Sequence, residues 1–221
     1  MGQSVRKPKK DMSAGRRQVD GYKPKLVPNA LQAIEGNANR KPRGEDDKMQ
    51  ETISIQVIDV APFKALAVRA ALTPDKSGTR VAWSKLSEKV PLDDERITDE
   101  PSVFVFIPQD QWGDKVDTLW VGIAVREFGE VPEGVETLEL QGGPCASTRV
   151  DGDEAHMWRV YDEMFGWLDQ SSEYELDRRP GVLGMETVPF EPFNSLTVPY
   201  SELSTFHFTM LYPVRKKEDN S

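Results

Sequence analysis

ETLELQGGPCASTRVDGDEAHMWRVYDEMFGWLDQSSEYEL, residues 136–176, decides the fold. It reads as an extended segment, a Gly-rich break, a second extended segment, one amphipathic helix and a return toward a sheet. Met157, Val160, Tyr161, Met164, Phe165 and Leu168 recur at i, i+3, i+4, i+7, i+8 and i+11, an apolar stripe of helical period backed by Arg159, Asp162 and Glu163. Asp151 and Glu154 stand three apart just before it, the D-x-x-E form of a capping box, which would satisfy two of the helix's orphan amide N–H groups. The strands upstream need a helix of this kind to cover their apolar face.

Upstream, Ile53, Ile55 and Val57 alternate with Ser54, Gln56 and Ile58 until Ala61-Pro62 interrupts, and Lys64 to Leu72 resumes an extended run. A strand broken by Pro sits at an edge or bends there. Thr79 to Val90 reads as a helix with Trp83, Leu86 and Val90 on one face, ended by Pro91. Ser102 to Pro108 and Thr118 to Arg126 read as strands. In the second, Leu119, Val121, Ile123 and Val125 share one face, and Trp120, Gly122 and Ala124 share the other. Downstream lie a short strand at Gly181 to Val188, a Pro/Asn-rich connection at Pro189 to Ser201, and a long strand at Ser204 to Val214. The order strand, helix, strand, strand thus occurs twice, at about residues 52–127 and 136–214, with Trp83 and Trp158 near the helix of each copy. The expected fold class is α+β: tandem duplicated βαββ units forming one antiparallel sheet with two helices packed on one face. The other face, or the crevice between the units, is then left for a ligand.

Composition narrows the functional classes. With 221 residues, 38% of them hydrophobic, the chain can bury one substantial core or two small ones. It has no apolar run of the roughly 18–20 residues that span a bilayer, and no signal-peptide core near its start. A cytoplasmic protein without membrane contact is expected. The single cysteine, Cys145, excludes an intrachain disulfide, and His156 and His207 lack partners at metal-ligand spacing, so neither a metal nor another cofactor is expected. The net charge of −9 hides an asymmetry. Residues 1–50 carry 12 Lys+Arg against 6 Asp+Glu, and the rest carries 16 against 31, out of totals of 28 and 37. Residues 1–50 read as a disordered basic tail, in which Arg6-Lys7-Pro8-Lys9-Lys10 and Arg16-Arg17 are a solvated run or, alternatively, a nuclear-import or polyanion-binding patch. Residues 51–215 form the domain and 216–221 a second short tail. An acidic body argues against direct DNA binding and leaves room for a protein partner on the acidic surface or the basic tail.

Several phrases now resemble a known family. VPEGVETLELQGGPCASTRVDG, then WRVYDEMFGWLDQSSEYEL, then GMET and MLYPV, are similar to the GyrI-like small-molecule-binding domain, which is also the effector-binding half of AraC-type and MerR-type multidrug regulators. WVGIAV and the Pro-interrupted opening strand fit its first half, so the resemblance spans roughly residues 52–214. It implies the tandem βαββ fold and an aromatic or cationic small-molecule ligand. Some relatives hydrolyse reactive cyclopropane-bearing genotoxins. Three departures stand out. Family members usually carry Tyr where this chain has Cys145, the Pro189–Ser201 connection is longer and can lid or reshape the site, and the first 50 residues show no helix-turn-helix pattern.

Glu186 is the sharpest site candidate. Strand alternation in GVLGMETV places Gly184, Glu186 and Val188 on one face, with Gly184 thinning the wall beside the carboxylate. Taken alone this is a solvated Glu on a sheet face; the resemblance implies a pocket glutamate that meets cationic, aromatic ligands. Trp120 is either a stacking wall flanked by small residues or a half-buried core ring. Phe106, which shares a face with Phe104, reads first as core and second as pocket wall. Trp158 lies off the helix stripe, pointing into the crevice or capping the core edge. Cys145 is a buried thiol or, much less favourably, a nucleophile. His207, Tyr200 and Tyr212 stay undecided. The resulting expectation is a stand-alone small-molecule-binding domain with Glu186, Trp120, Phe106, Trp158 and Cys145 as ligand-binding residues. Two alternatives stand beside it: a hydrolase in which Glu186 is the general base, and an acidic interaction protein that inhibits a DNA topoisomerase.

Overall fold

The computed structural model describes residues 52–99, 101–112, 116–191 and 194–218. The basic tail, including the Arg6–Lys10 run, lies outside them. The elements, in chain order, are β1 (Gln56–Val60), β2 (Phe63–Ala71), α1 (Ser77–Lys89), β3 (Val103–Pro108), β4 (Thr118–Val125), β5 (Glu136–Leu140), β6 (Gly143–Gly152), α2 (Glu154–Gln170), β7 (Tyr174–Leu176), β8 (Leu183–Val188) and β9 (Phe206–Lys216). Eight strands pair in the order β1-β6-β9-β8-β3-β4-β2-β5, and β7 lies against the end of β9. Every pair is antiparallel. The expected α+β architecture, with two helices on a large antiparallel sheet, is the one observed.

The strand order is symmetric about the central β8–β3 pair. One half reads β6-β9-β8 and carries α2; the other reads β2-β4-β3 and carries α1. These are the two βαββ units anticipated from the order of elements. Each unit's leading strand crosses over: β1 pairs with β6 of the second half, and β5 with β2 of the first. Alternation along a single strand carries no information about this exchange.

The exchange bends the sheet. β1 and β2 are joined only by Ala61-Pro62, and β5 and β6 only by Gln141-Gly142, yet each pair stands six places apart in the strand order. Six strand spacings in a flat sheet are about 29 Å, whereas three Cα–Cα steps reach at most about 11 Å. The sheet therefore curls until its two edges approach. Its concave face is filled by its own side chains: Val60, Ala65, Phe104, Phe106, Ala124, Cys145, Met185 and Leu211 are all buried there. Phe104 and Phe106 stack with centroids 5.6 Å apart. The tight spot is Gly142, whose φ of +70° suits glycine and whose missing Cβ would stand 2.4 Å from the Val60 carbonyl oxygen and 2.6 Å from the Pro62 nitrogen.

The convex face carries the main core. Ala82, Trp83 and Leu86 of α1 and Met157, Val160, Met164 and Leu168 of α2 are buried with Leu66, Val121, Val150 and Met210 of the sheet. α1 rests on β2 and β4, and α2 on β6. The central strands β3 and β8 therefore form the floor of a trough between the helices.

Two boundaries differ from expectation. The α2 cap is Asp153, whose carboxylate accepts from the His156 backbone N–H at 2.8 Å. Asp151 is instead still in β6, paired with His207 at 2.6 Å, so the capping box at Asp151 and Glu154 does not form. At the other end β9 runs to Lys216 because Tyr174–Leu176 pairs alongside it, and the Lys217 N–H donates to the Glu173 carbonyl at 2.8 Å. Lys216 and Lys217 thus belong to the folded body rather than to a tail.

Gly142→Ala is expected to destabilise the fold by roughly 2–5 kcal/mol, from a left-handed backbone penalty plus overpacking against Val60 and Pro62. Gly166→Ala, mid-helix in α2 with nothing within 4 Å of a built Cβ, should gain up to about 1 kcal/mol. Urea denaturation of the two variants checks the contrast; equal stabilities would contradict the edge-closure account.

Candidate functional site

The trough holds a cavity of about 990 Å³. Its floor comes from Val105 and Ile107 of β3, Glu186 and Val188 of β8, and Phe206, Phe208 and Tyr212 of β9. One wall is the inner side of α2, with Met157, Trp158, Tyr161 and Phe165; the other is the approach to α1, with Leu72, Pro74, Lys76 and Thr79. The connection after β8 closes over it through Leu196, Val198, Tyr200 and Leu203. That segment forms two short 3-10 turns, Ser195–Thr197 and Tyr200–Glu202, the first of which packs on α1. The long connection thus contributes to the lining of the site.

Glu186 occupies the middle of this floor. In the ladder it stands opposite Val105 on one side and Met210 on the other, both buried. The Tyr161 hydroxyl donates to Glu186 Oε1. Among the described residues no cationic side chain pairs with this carboxyl. Burial pushes its pKa from 4.5 up to about 7, and the hydrogen bond from Tyr161 opposes that rise only in part. The same environment raises the phenol pKa of Tyr161 and of Tyr212, in both cases first through burial and then through the nearby Glu186 charge. Both phenols are neutral at physiological pH, so each supplies a donor and a ring without a charge.

Aromatic rings line up around the carboxyl. Trp158 and Tyr161 are 5.7 Å apart, Tyr161 and Phe208 6.3 Å, and Phe165 meets Tyr212 edge-on at 5.1 Å. Trp112 meets Tyr212 edge-on at 5.4 Å and donates its indole N–H to the Ile107 carbonyl at 2.9 Å. Gly184 does not thin the wall for a ligand. A Cβ there would stand 2.8 Å from Trp112 Nε1 and 2.9 Å from the Tyr212 ring, so its space is filled by protein.

Of the five residues nominated from sequence, Glu186 and Trp158 line this cavity. Phe106, Cys145 and Trp120 point to the concave side of the sheet and are absent from its lining. The reason is strand parity: Phe106 of β3, Trp120 of β4 and Cys145 of β6 alternate away from the helices, whereas Glu186 of β8 alternates toward them. Phe106 is wholly buried in packing. Trp120 donates its indole N–H to Glu136 at 2.9 Å and lies under the Arg69 guanidinium at 4.8 Å. Burial pushes the Cys145 thiol up to about 12, which makes it a poor nucleophile. Tyr161, Phe165, Trp112, Lys76 and Leu196 were not singled out. Tyr161 offered one signal, a hydroxyl in an otherwise Met/Val/Leu/Phe stripe, which must find a partner once buried. Among the described residues no group of three or more His, Cys, Asp or Glu side chains is placed to hold a metal ion, and no helix is long and apolar enough to cross a membrane.

Comparison with known proteins agrees with this architecture. The family model for the GyrI-like small molecule binding domain matches residues 54–182, more than half of the chain, and ends just before β8. The crystal structure of the EcmrR C-terminal domain superposes with a TM-score of 0.57 at 13% identity, over 75% of this chain and 99% of that one. The cryo-EM structure of the EcmrR–DNA complex gives a TM-score of 0.52 at 13% identity, over 75% of this chain and 58% of that one. At such identities the likeness is one of fold. No curated protein matches the sequence.

The raised Glu186 pKa fixes a sign for stability. Between pH 4.5 and about 7 the unfolded chain gives up a proton that the folded chain keeps, so stability falls as pH rises through that window and levels off above it. Glu186→Gln abolishes this titration. The variant should match wild type near pH 4.5 and exceed it by about 2–3 kcal/mol at pH 8, read by urea denaturation across pH. Parallel curves would show that the carboxyl is ordinarily solvated.

Proposed function

This chain belongs to the family of GyrI-like small-molecule-binding domains, and from that premise we propose that the cavity between its helices binds a hydrophobic aromatic cation. One observation carries the reading: a carboxyl without a cationic partner among the described residues, set in the floor of an aromatic, largely apolar cavity of about 990 Å³. That volume suits a drug-sized molecule. A ligand that brings its own positive charge supplies the partner Glu186 lacks, and Trp158, Tyr161 and Phe165 offer ring faces for stacking and cation–π contact. A neutral ligand leaves the carboxyl protonated, and an anion would meet it unfavourably once ionised. Selectivity for cations follows from that difference.

The proton is part of the binding equilibrium. Cation binding favours ionised Glu186, so below pH 7 it must expel the proton, and affinity should climb with pH toward a plateau above 7. Tyr161 tunes the midpoint, since its hydrogen bond holds the carboxyl below the value that burial alone would set.

A second reading rests on the same pair. A carboxyl titrating near neutrality beside a phenol is the arrangement of a general base with a neighbouring proton donor, which supports hydrolysis of an electrophilic ligand.

Ethidium, an aromatic monocation, tests the binding reading by fluorescence titration. Glu186→Gln should weaken it by tenfold or more, equivalent to about 1.4 kcal/mol. Tyr161→Phe should move the pH midpoint of binding upward. An affinity indifferent to residue 186 and to pH would sink the proposal. Incubation with an electrophilic epoxide or cyclopropane and mass spectrometry separates the two readings: intact ligand supports binding alone, while product lost in Glu186→Gln supports hydrolysis.

A further inference from the structure

At the solvent end of the cavity stands a second cluster that the Glu186 reading does not use. The Lys76 ammonium lies 3.8 Å from the centroid of the Tyr200 ring, 5.3 Å from that of Trp158, and 3.8 Å from Glu154 Oε1. The Tyr200 hydroxyl donates to the same Glu154 oxygen at 2.6 Å, which fixes ring and carboxylate relative to each other and helps hold the Glu154 carboxyl below its usual range. Lys76, Trp158 and Tyr200 all line the cavity, and Trp158 is half exposed at its rim. Two aromatic faces and a carboxylate around an ammonium form an aromatic cage for a cation.

The occupant is poorly suited to its own position. Lys76 is, among the described residues, the one non-glycine residue with positive φ, at 54°. It stands at the N-cap of α1 and makes no side-chain cap bond, the usual role of Ser, Thr, Asp or Asn there; the neighbouring Asp75 carboxylate accepts from the Ser77 N–H at 3.2 Å instead. Its positive charge also lies at the positive end of the helix dipole. Local backbone and helix chemistry disfavour a lysine there, while the cage formed by α2 and the covering connection favours it. A residue held against its local preferences by contacts at a cavity mouth is a sign of a functional constraint.

We propose that the rim formed by Trp158, Tyr200 and Glu154 is a second cation-binding station, filled in the empty protein by the Lys76 ammonium and open to an alkylammonium group of a ligand that displaces it. Resting on the Glu186 reading for the inner charge, the ligand class that uses both stations is an elongated aromatic dication, with one charge over the floor and the other at the rim. A monocation fills the inner station and leaves Lys76 in place.

Two probes test the rim. Tetramethylammonium is titrated into Glu186→Gln protein, in which the inner station has no charge, and into the same protein carrying Lys76→Met, while the Trp158 indole N–H is followed by NMR. The signal should shift saturably with Lys76→Met, barely with Lys76 in place, and not when Glu154→Gln is added to Lys76→Met; no shift with Lys76→Met overturns the station. Propidium shares the phenanthridinium core of ethidium but carries a quaternary ammonium on a flexible arm. Its affinity relative to ethidium should rise at least about fivefold in Lys76→Met and fall back when Trp158→Leu is added. An unchanged ratio, with ethidium still bound through Glu186, overturns use of the rim by a ligand. Loss of ethidium binding itself counts against the Glu186 reading, and the tetramethylammonium arm then still decides the rim.

Discussion

Two links of two residues each, Ala61-Pro62 and Gln141-Gly142, constrain the rest of the molecule. They join strands that stand six places apart in the sheet, so the sheet must roll up on itself. Rolling turns one face inward and lets side chains of its own strands fill it, which is why Phe106 can be wholly buried with no helix over it. The helices are left to cover the convex face. Each packs on the strands of its own half, and the central pair β8–β3, where the halves meet, becomes the floor of a trough. The site is thus a by-product of joining two units about a central pair of strands.

The trough sets up the chemistry. A carboxyl in the middle of a sheet floor, bordered by Val105 and Met210, would be an unfavourable core residue if its only purpose were stability. Tyr161 meets part of its hydrogen-bonding need, and protonation meets part of its charge problem, giving a group that titrates near neutrality. The cost to the fold and the capacity to take a cation have the same origin, incomplete compensation of one half-buried, desolvated acid. The rim differs: its carboxylate, Glu154, is exposed and already compensated by Tyr200 and Lys76. Among the described residues, the inner end of the cavity therefore lacks a cation and the outer end already holds one.

The division of the sequence nominations between the two faces of the sheet follows from geometry. Alternation correctly grouped Phe104 with Phe106, separated Trp120 from Val121, and put Glu186 with Val188 rather than with Met185. It sorts residues within one strand into two sets but does not say which set of one strand shares a face with which set of another. That depends on pairing register and on which face the helices choose. Trp120, Phe106 and Cys145 have side chains suited to a pocket, but register and helix placement put them on the concave face. Tyr161 was placed in the right stripe of α2, yet its role depended on a strand 25 residues away in the chain.

The elements and their order are legible along the chain: the helical stripe from Met157 to Leu168, the Pro-broken opening strands, the repeated βαββ plan, and the parity that leaves Glu186 on a face of its strand with apolar neighbours. These are local properties, set by the periods of helix and strand and by a few Pro and Gly residues. The exchange of leading strands, the curl of the sheet, the side on which the cavity opens, and the meeting of Lys76 with Trp158, Tyr200 and Glu154 arise only when the chain packs. Each of those depends on contacts between segments far apart in the chain, whose free energy belongs to the packed whole and is not encoded in the pattern of any one stretch.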